Sequence, residues 1–188
     1  ANINYNKNKT VKNSFRQKLD DQLYNYRTNP NDPKTSLRTT LFHLASMRSG
    51  DINTNNSNSL KLHRCPNPDC DEENVIVKDI DEPQYCDECK KSIYPSDVLR
   101  LWEEISEHQS NQVAFTRFMQ IVEHLIPVHY MRIISEASLE SLSNVAFIID
   151  GPLAIFGNAA WLHAAILKFV YDLRKKMIGK NLFPFILI

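Results

Sequence analysis

Four cysteines in two close pairs, Cys65-Pro-Asn-Pro-Asp-Cys70 and Cys86-Asp-Glu-Cys89, are the residues whose type and spacing most directly dictate a chemistry. Two tight loops carrying paired thiolates, with fifteen residues between the pairs, match a zinc ribbon, although the first pair has four intervening residues rather than two. Tetrahedral Zn²⁺ accepts four sulfurs and leaves no position open, so such a site is structural. His63 lies close enough to Cys65 to substitute as a ligand, but Cys65, Cys70, Cys86 and Cys89 already complete the set. Val75-Ile76-Val77 supplies a short strand between the knuckles. The segment is too small to fold on its own core, so metal binding supplies its folding free energy. The alternative is four unrelated buried or disulfide-bonded cysteines.

The second candidate is a single acid. Val145-Ala146-Phe147-Ile148-Ile149 is a continuous apolar run rich in β-branched and aromatic residues, which predicts a buried strand, and Asp150 follows it directly. Gly151-Pro152 then breaks the strand and puts the carboxylate beside a turn. An ionised carboxylate at a buried strand tip needs a partner or a metal to offset its desolvation, and hard cations such as Mg²⁺ and Mn²⁺ prefer oxygen ligands. The bland alternative is that Asp150 only caps the Gly-Pro turn.

The elements that must position these residues read mainly as helices. Ala1 to Thr10 has little to bury. Val11, Phe15, Leu19, Leu23 and Tyr26 recur at helical spacing up to Asn29-Pro30, with Lys12, Arg16 and Lys18 on a basic face expected to be solvated. Ser36 is placed to cap a second helix through Leu37, Leu41 and Leu44, on which His43 stands alone as a structural or surface histidine, and Gly50 is its natural stop. Asp51 to Ser59 reads as a polar linker. After the cysteines, Ser96 caps a predicted helix through Val98, Leu101, Trp102 and Ile105 to about Asn111. A longer helix starts near Gln112, with a kink or restart expected at Pro127, and Ser138 caps a short one through Leu142. Beyond the Asp150 run, a brief strand over Leu153 to Phe156 and a helix from Gly157-Asn158 to about Met177 are predicted.

Phe147 to Gly157, FIIDGPLAIFG, followed by NAAWLHAAI, resembles the first catalytic motif of the NurA nuclease family. In that family an apolar strand delivers an aspartate to the metal site of an RNase H-like domain, and the corresponding residue here is Asp150. LRLWEEISEHQSN and TRFMQIVEHLIPVHY resemble the helical insertion of zinc-ribbon-bearing bacterial members. The resemblance implies an α/β fold with an RNase H-like sheet core beginning near Val145, preceded by helices and an inserted zinc ribbon. It implies metal-dependent hydrolysis of DNA with Mn²⁺ or Mg²⁺, a homodimer, and a HerA-like hexameric ATPase as partner, in DNA end processing or antiphage defence. The family draws further acids from later strands, whereas this chain stops inside what reads as the next strand and begins without Met, so a truncated portion of a longer protein is expected.

Other residues are weaker candidates. Glu104 and Glu107 share a helix face as a metal pair does, and as ordinary surface charges do. Arg174, Lys175 and Lys176 complement a helix C-terminus or form a phosphate-contacting patch. His124 and His129 are five apart and share no face cleanly. Lys+Arg and Asp+Glu each number 22, so global charge predicts neither nucleic acid nor membrane binding. The ribbon itself carries Asp69, Asp71, Glu72, Glu73, Asp79, Asp81, Glu82, Asp87 and Glu88, a surface that repels phosphate and suits an architectural or protein-contacting element. No apolar run is long enough to span a bilayer, no signal peptide is visible, and paired cysteines suit a reducing compartment, which points to the cytoplasm. The organisation expected is a helical arm and linker over 1–60, the ribbon over 61–95, and helices with the first part of a nuclease domain over 96–188. Two rivals remain: a non-catalytic DNA- or motor-binding subunit with the same fold, and a zinc-ribbon interaction module beside an unrelated helical domain.

Overall fold

The computed structural model describes residues 10–48, 59–149 and 155–187. It is a mixed α/β structure in which helices dominate and the strands form three separate two-stranded sheets among the described residues. Helix α1 (Val11–Asn25) starts where the Thr10 side chain accepts from the Asn13 N–H, and it buries Phe15, Leu19 and Leu23 as their spacing predicts. Ser36 caps α2 (Leu37–Arg48) by accepting from the Thr39 N–H at 3.1 Å. Leu37, Leu41, Phe42, Leu44 and Ala45 are all buried, because α2 lies among α1, α3 (Gln112–Ala137) and α5 (Trp161–Ile178). The turn before it is tied by Asp32, whose carboxylate accepts from the Lys34 N–H. Gly50 and most of the polar linker lie outside the described residues.

The ribbon region supplies β1 (Ser59–Arg64) paired antiparallel with β2 (Glu73–Lys78), and β3 (Gln84–Tyr85) paired with β4 (Ser92–Ile93). β1 begins where the polar stretch ends, a strand the sequence pattern does not announce. One apolar cluster runs from Leu60, Leu62, Val75 and Val77 in this region to Leu99 and Leu101 and on into the helices.

Three expectations are corrected. The helix predicted from Ser96 is instead two 3-10 turns, Pro95–Leu99 and Leu101–Glu104, separated by Arg100 at φ 55. A left-handed residue cannot continue a right-handed helix, and its cost is offset by burial of Val98, Leu99, Leu101 and Trp102 on either side. α3 continues through Pro127 as one helix, so of the kink or restart expected there the restart fails, and it ends where Ser138 caps α4 (Leu139–Leu142). Arg16 does not belong to a solvated basic face: it is buried, and its Nε and Nη2 each donate at 2.7 Å to Asp97. The same Asp97 carboxylate accepts from the Tyr94 N–H, while Nη2 of Arg16 also reaches the Ser92 carbonyl. Asp97→Ala leaves the guanidinium buried without its counter-charge, so a loss of about 3–5 kcal/mol in urea unfolding is expected; a loss below ~1 kcal/mol would mean that this pair does not hold the fold.

The predicted strand at 145–149 shrinks to β5 (Ala146–Phe147), which pairs in parallel with β6 (Ile186–Leu187) across α5. It is not buried as expected, since Ile148 is 78% exposed: among the described residues the strand has one neighbour, which leaves its other edge and faces uncovered. Ile155 and Phe156 form no strand, and Leu153 lies outside the described residues. α5 rests on α2, with Leu162, Ala165, Phe169, Leu173 and Met177 as its buried stripe.

Candidate metal centre

The backbone brings the four sulfurs together from two knuckles. The first is closed by the Cys65 N–H donating to Glu72 O and the Cys70 N–H donating to Asn67 O, the second by the Cys86 N–H to Lys91 O and the Lys90 N–H to Cys86 O. Lys90 takes φ 55 to complete that tight loop. Cys65 and Cys89 stand 3.8 Å apart at sulfur, as do Cys70 and Cys86, and all four Sγ atoms lie within 4.8 Å of one another. Zn–S bonds of about 2.3 Å place the corners of a tetrahedron ~3.8 Å apart. A disulfide would need about 2.05 Å. The cysteines are therefore free thiols arranged as a ligand set for a structural metal such as zinc, and the reading of four unrelated cysteines fails.

Burial strengthens the case. Cys65 is 2% and Cys86 0% exposed. Desolvation pushes the Cys65 thiol up to about 12, and a bound cation would offset that cost by supplying the charge that favours the thiolate. His63 is exposed on β1 and stands outside the cluster, and the four cysteines are the one group of three or more acids, histidines and cysteines with metal-binding geometry among the described residues. Four sulfurs close the coordination sphere, so the centre offers no position to a substrate.

One participant escapes the sequence reading. Asn67, inside the first knuckle, is 2% exposed and its Nδ2 donates to Cys65 Sγ at 3.2 Å and to Cys89 Sγ at 3.5 Å. An amide donor here stabilises negative sulfur and fixes two ligands at once. Asn67→Asp sets a carboxylate against thiolates, and a zinc affinity weakened about 10–100-fold is expected in competition with a chromophoric chelator; unchanged affinity would reduce Asn67 to a turn residue.

Of the remaining candidates, Asp150 and the Gly151–Leu153 turn lie outside the described residues. Glu104 pairs with Arg117 at 3.0 Å, and Glu107 accepts from the Val11 N–H at 3.0 Å at the start of α1, so the two carboxylates serve different contacts. Arg117 also donates to Phe156 O, and a side chain on Gly157, at φ 74, would collide with its guanidinium. Arg174 donates to Phe185 O at 3.2 Å and lies over the Phe185 ring, holding the approach to β6. Lys175 and Lys176 are exposed in the last turn of α5. His129 is fully buried between the Thr28 and Thr40 hydroxyls, and burial beside Arg132 lowers its pKa to about 4, so it is neutral. His124 gives Nδ1 to the Gln120 carbonyl. Of the ribbon acids, Asp79 and Asp81 are engaged by Arg38, which also meets Asp20 and lies over Tyr24. No helix of the described residues is long and apolar enough to cross a membrane.

No protein-family model, curated protein or solved structure matches this chain.

Proposed function

We propose that this chain is the zinc-ribbon-bearing part of a divalent-metal-dependent DNA nuclease of the NurA type, with Asp150 as a ligand of the catalytic Mg²⁺ or Mn²⁺. The observation that carries the reading is the parallel pairing of β5 with β6 across α5, with Asp150 following β5 in sequence. Parallel α/β sheets bind ligands beyond the carboxyl ends of their strands, and the Asp-Gly-Pro-Leu motif follows β5 in the sequence. An RNase H-like sheet would extend from this βαβ unit.

The donor sets keep two metals apart. Mg²⁺ and Mn²⁺ prefer oxygen, so the four-sulfur centre suits zinc and the carboxylate of Asp150 suits the hard cation. When bound, such a cation supplies a nucleophilic water and offsets charge on the phosphodiester. The chain's own contribution is to present Asp150 and to hold the segment downstream of it: Arg117 binds Phe156 O, and Asn158 donates to Glu103 at 3.0 Å. The resemblance further supports a cytoplasmic homodimer working with a HerA-like hexameric ATPase on DNA ends, in repair or antiphage defence.

Degradation of linear DNA by the zinc-loaded gene product, with Mn²⁺ or Mg²⁺ and with and without the ATPase, tests the assignment. Metal-dependent cleavage is expected. None under any condition, from folded protein, would leave the same fold as a non-catalytic DNA- or motor-binding subunit.

A further inference from the structure

The ribbon's charge is segregated in a way its composition hides. In the register of β1 on β2, Lys61 lies opposite Ile76 and Ser59 opposite Lys78, while Leu60 and Leu62 face Val77 and Val75 in the core. By that alternation the solvent face of the hairpin carries Lys61, His63, Ile76 and Lys78, and no acid. Among the described residues β1 pairs with β2 alone, and it borders the turn Pro95–Leu99.

Beside β1 lies a cleft of about 80 Å³ lined by Lys61, His63, Arg64, Arg100, Trp102 and Asn158. Arg64 and Arg100 converge on one carboxylate, Glu103, at 3.4 and 2.8 Å. Asp97 also borders the cleft, but its charge is taken by buried Arg16. Lys61, Arg64 and Arg100 are set against Glu103 and, across the strand pair from Arg64, Glu73, so the cations still outnumber the acids. Arg100 is held at this place by a left-handed backbone fixed by the packing of Val98, Leu99, Leu101 and Trp102 on either side.

We propose that this cleft binds the phosphodiester backbone of single-stranded DNA. Charge complementarity selects a polyanion, and a flexible single strand can adapt its phosphates to a cleft of such small volume where a rigid duplex holds them at fixed spacing. The choice of DNA rests on the nuclease reading. Asn158 links the two sites: it lines the cleft, bonds Glu103, and lies just downstream of the Asp-Gly-Pro-Leu motif.

The test is fluorescence anisotropy with a labelled oligothymidylate, in buffer without Mg²⁺ or Mn²⁺ and without chelator, so that zinc is kept. Lys61→Gln with Arg100→Gln should weaken binding about tenfold, and the slope of log K against log salt should become shallower by about 0.7 for each phosphate no longer neutralised. Lys61→Glu, a change at an exposed position that leaves Arg100 and its turn intact, should weaken it as well. Lys168→Gln on α5 with Lys34→Gln, an equal loss of charge at exposed positions elsewhere, should leave binding within about twofold. No binding by the wild type, unchanged binding in both cleft variants, an equal loss in the control with Lys168 and Lys34 replaced, or a preference for duplex each overturns the proposal. Cleavage that survives with binding unchanged in Lys61→Glu keeps the nuclease and discards the cleft; oligonucleotide binding without cleavage under any metal does the reverse.

Discussion

Cys86→Ser is expected to cost the protein its zinc and most of its stability. Serine is isosteric, but its hydroxyl is not a thiolate, and a four-sulfur site reduced to three ligands cannot close around the metal. Cys86 is 0% exposed and belongs to the cluster that joins Leu60, Leu62, Val75 and Ile93 to the helices, so disorder in the ribbon does not stay local. The failure propagates along identifiable contacts: β4 gives the Ser92 carbonyl to Arg16, whose partner Asp97 holds the turn before α3, and Arg38 on α2 is clamped to Asp79 and Asp81. Structural zinc contributes about 10 kcal/mol or more to the folding of small metal modules, against a total stability of roughly 5–15 kcal/mol for a domain. A drop above ~4 kcal/mol is therefore expected, read as a lowered unfolding midpoint together with loss of the one zinc per chain that metal analysis should find in the wild type. A variant that keeps its midpoint, or a fully reduced wild type purified without chelator and free of zinc, would end the case for a structural metal.

Whether a feature was legible in the sequence depends on whether its signal is local. The cysteine spacing is local chemistry, since two knuckles and four sulfurs prescribe one another, and the cluster formed as read. Helix periodicity and capping are local too: Phe15, Leu19 and Leu23, or Ser36 and Ser138, need only their neighbours in sequence. Arg16 illustrates the opposite. On α1 it reads as one cation among Lys12 and Lys18, and only the arrival of Asp97 from eighty-one residues away makes it a buried pair. Arg100 is similar, because its left-handed backbone answers to packing on both sides rather than to any propensity of arginine. Asn67 carried a faint signal as an amide within a cysteine knuckle, yet which sulfur it meets depends on the second knuckle folding onto the first. The apolar run at Val145 misled because hydrophobicity reports that a segment prefers burial, not that neighbours are there to bury it; Ile148 and Ile186 remain largely exposed beside a two-stranded pair.

On the proposed nuclease reading, Asp150→Asn is expected to reduce DNA cleavage by about 10³-fold or more while leaving folding and zinc content unchanged. The substitution conserves shape and removes charge, and a hard divalent cation held by oxygen ligands depends on that charge for binding and for acidifying its water. Removal of one preorganised electrostatic contact costs about 10²–10³ in other active sites, and a metal ligand both positions and neutralises, so the larger figure applies. Fold and metal centre should be spared, since Asp150 stands apart in sequence from all four cysteines and from the Arg16–Asp97 pair. Three measurements on one preparation decide the matter: cleavage in Mn²⁺, zinc per chain and the unfolding midpoint. Activity within about tenfold of wild type would assign Asp150 to the Gly-Pro turn it precedes and move the search for the catalytic carboxylates elsewhere, whereas loss of midpoint and activity together would mark it as structural. Only a selective loss, and one that a higher Mn²⁺ concentration partly restores, makes it a ligand of the catalytic ion.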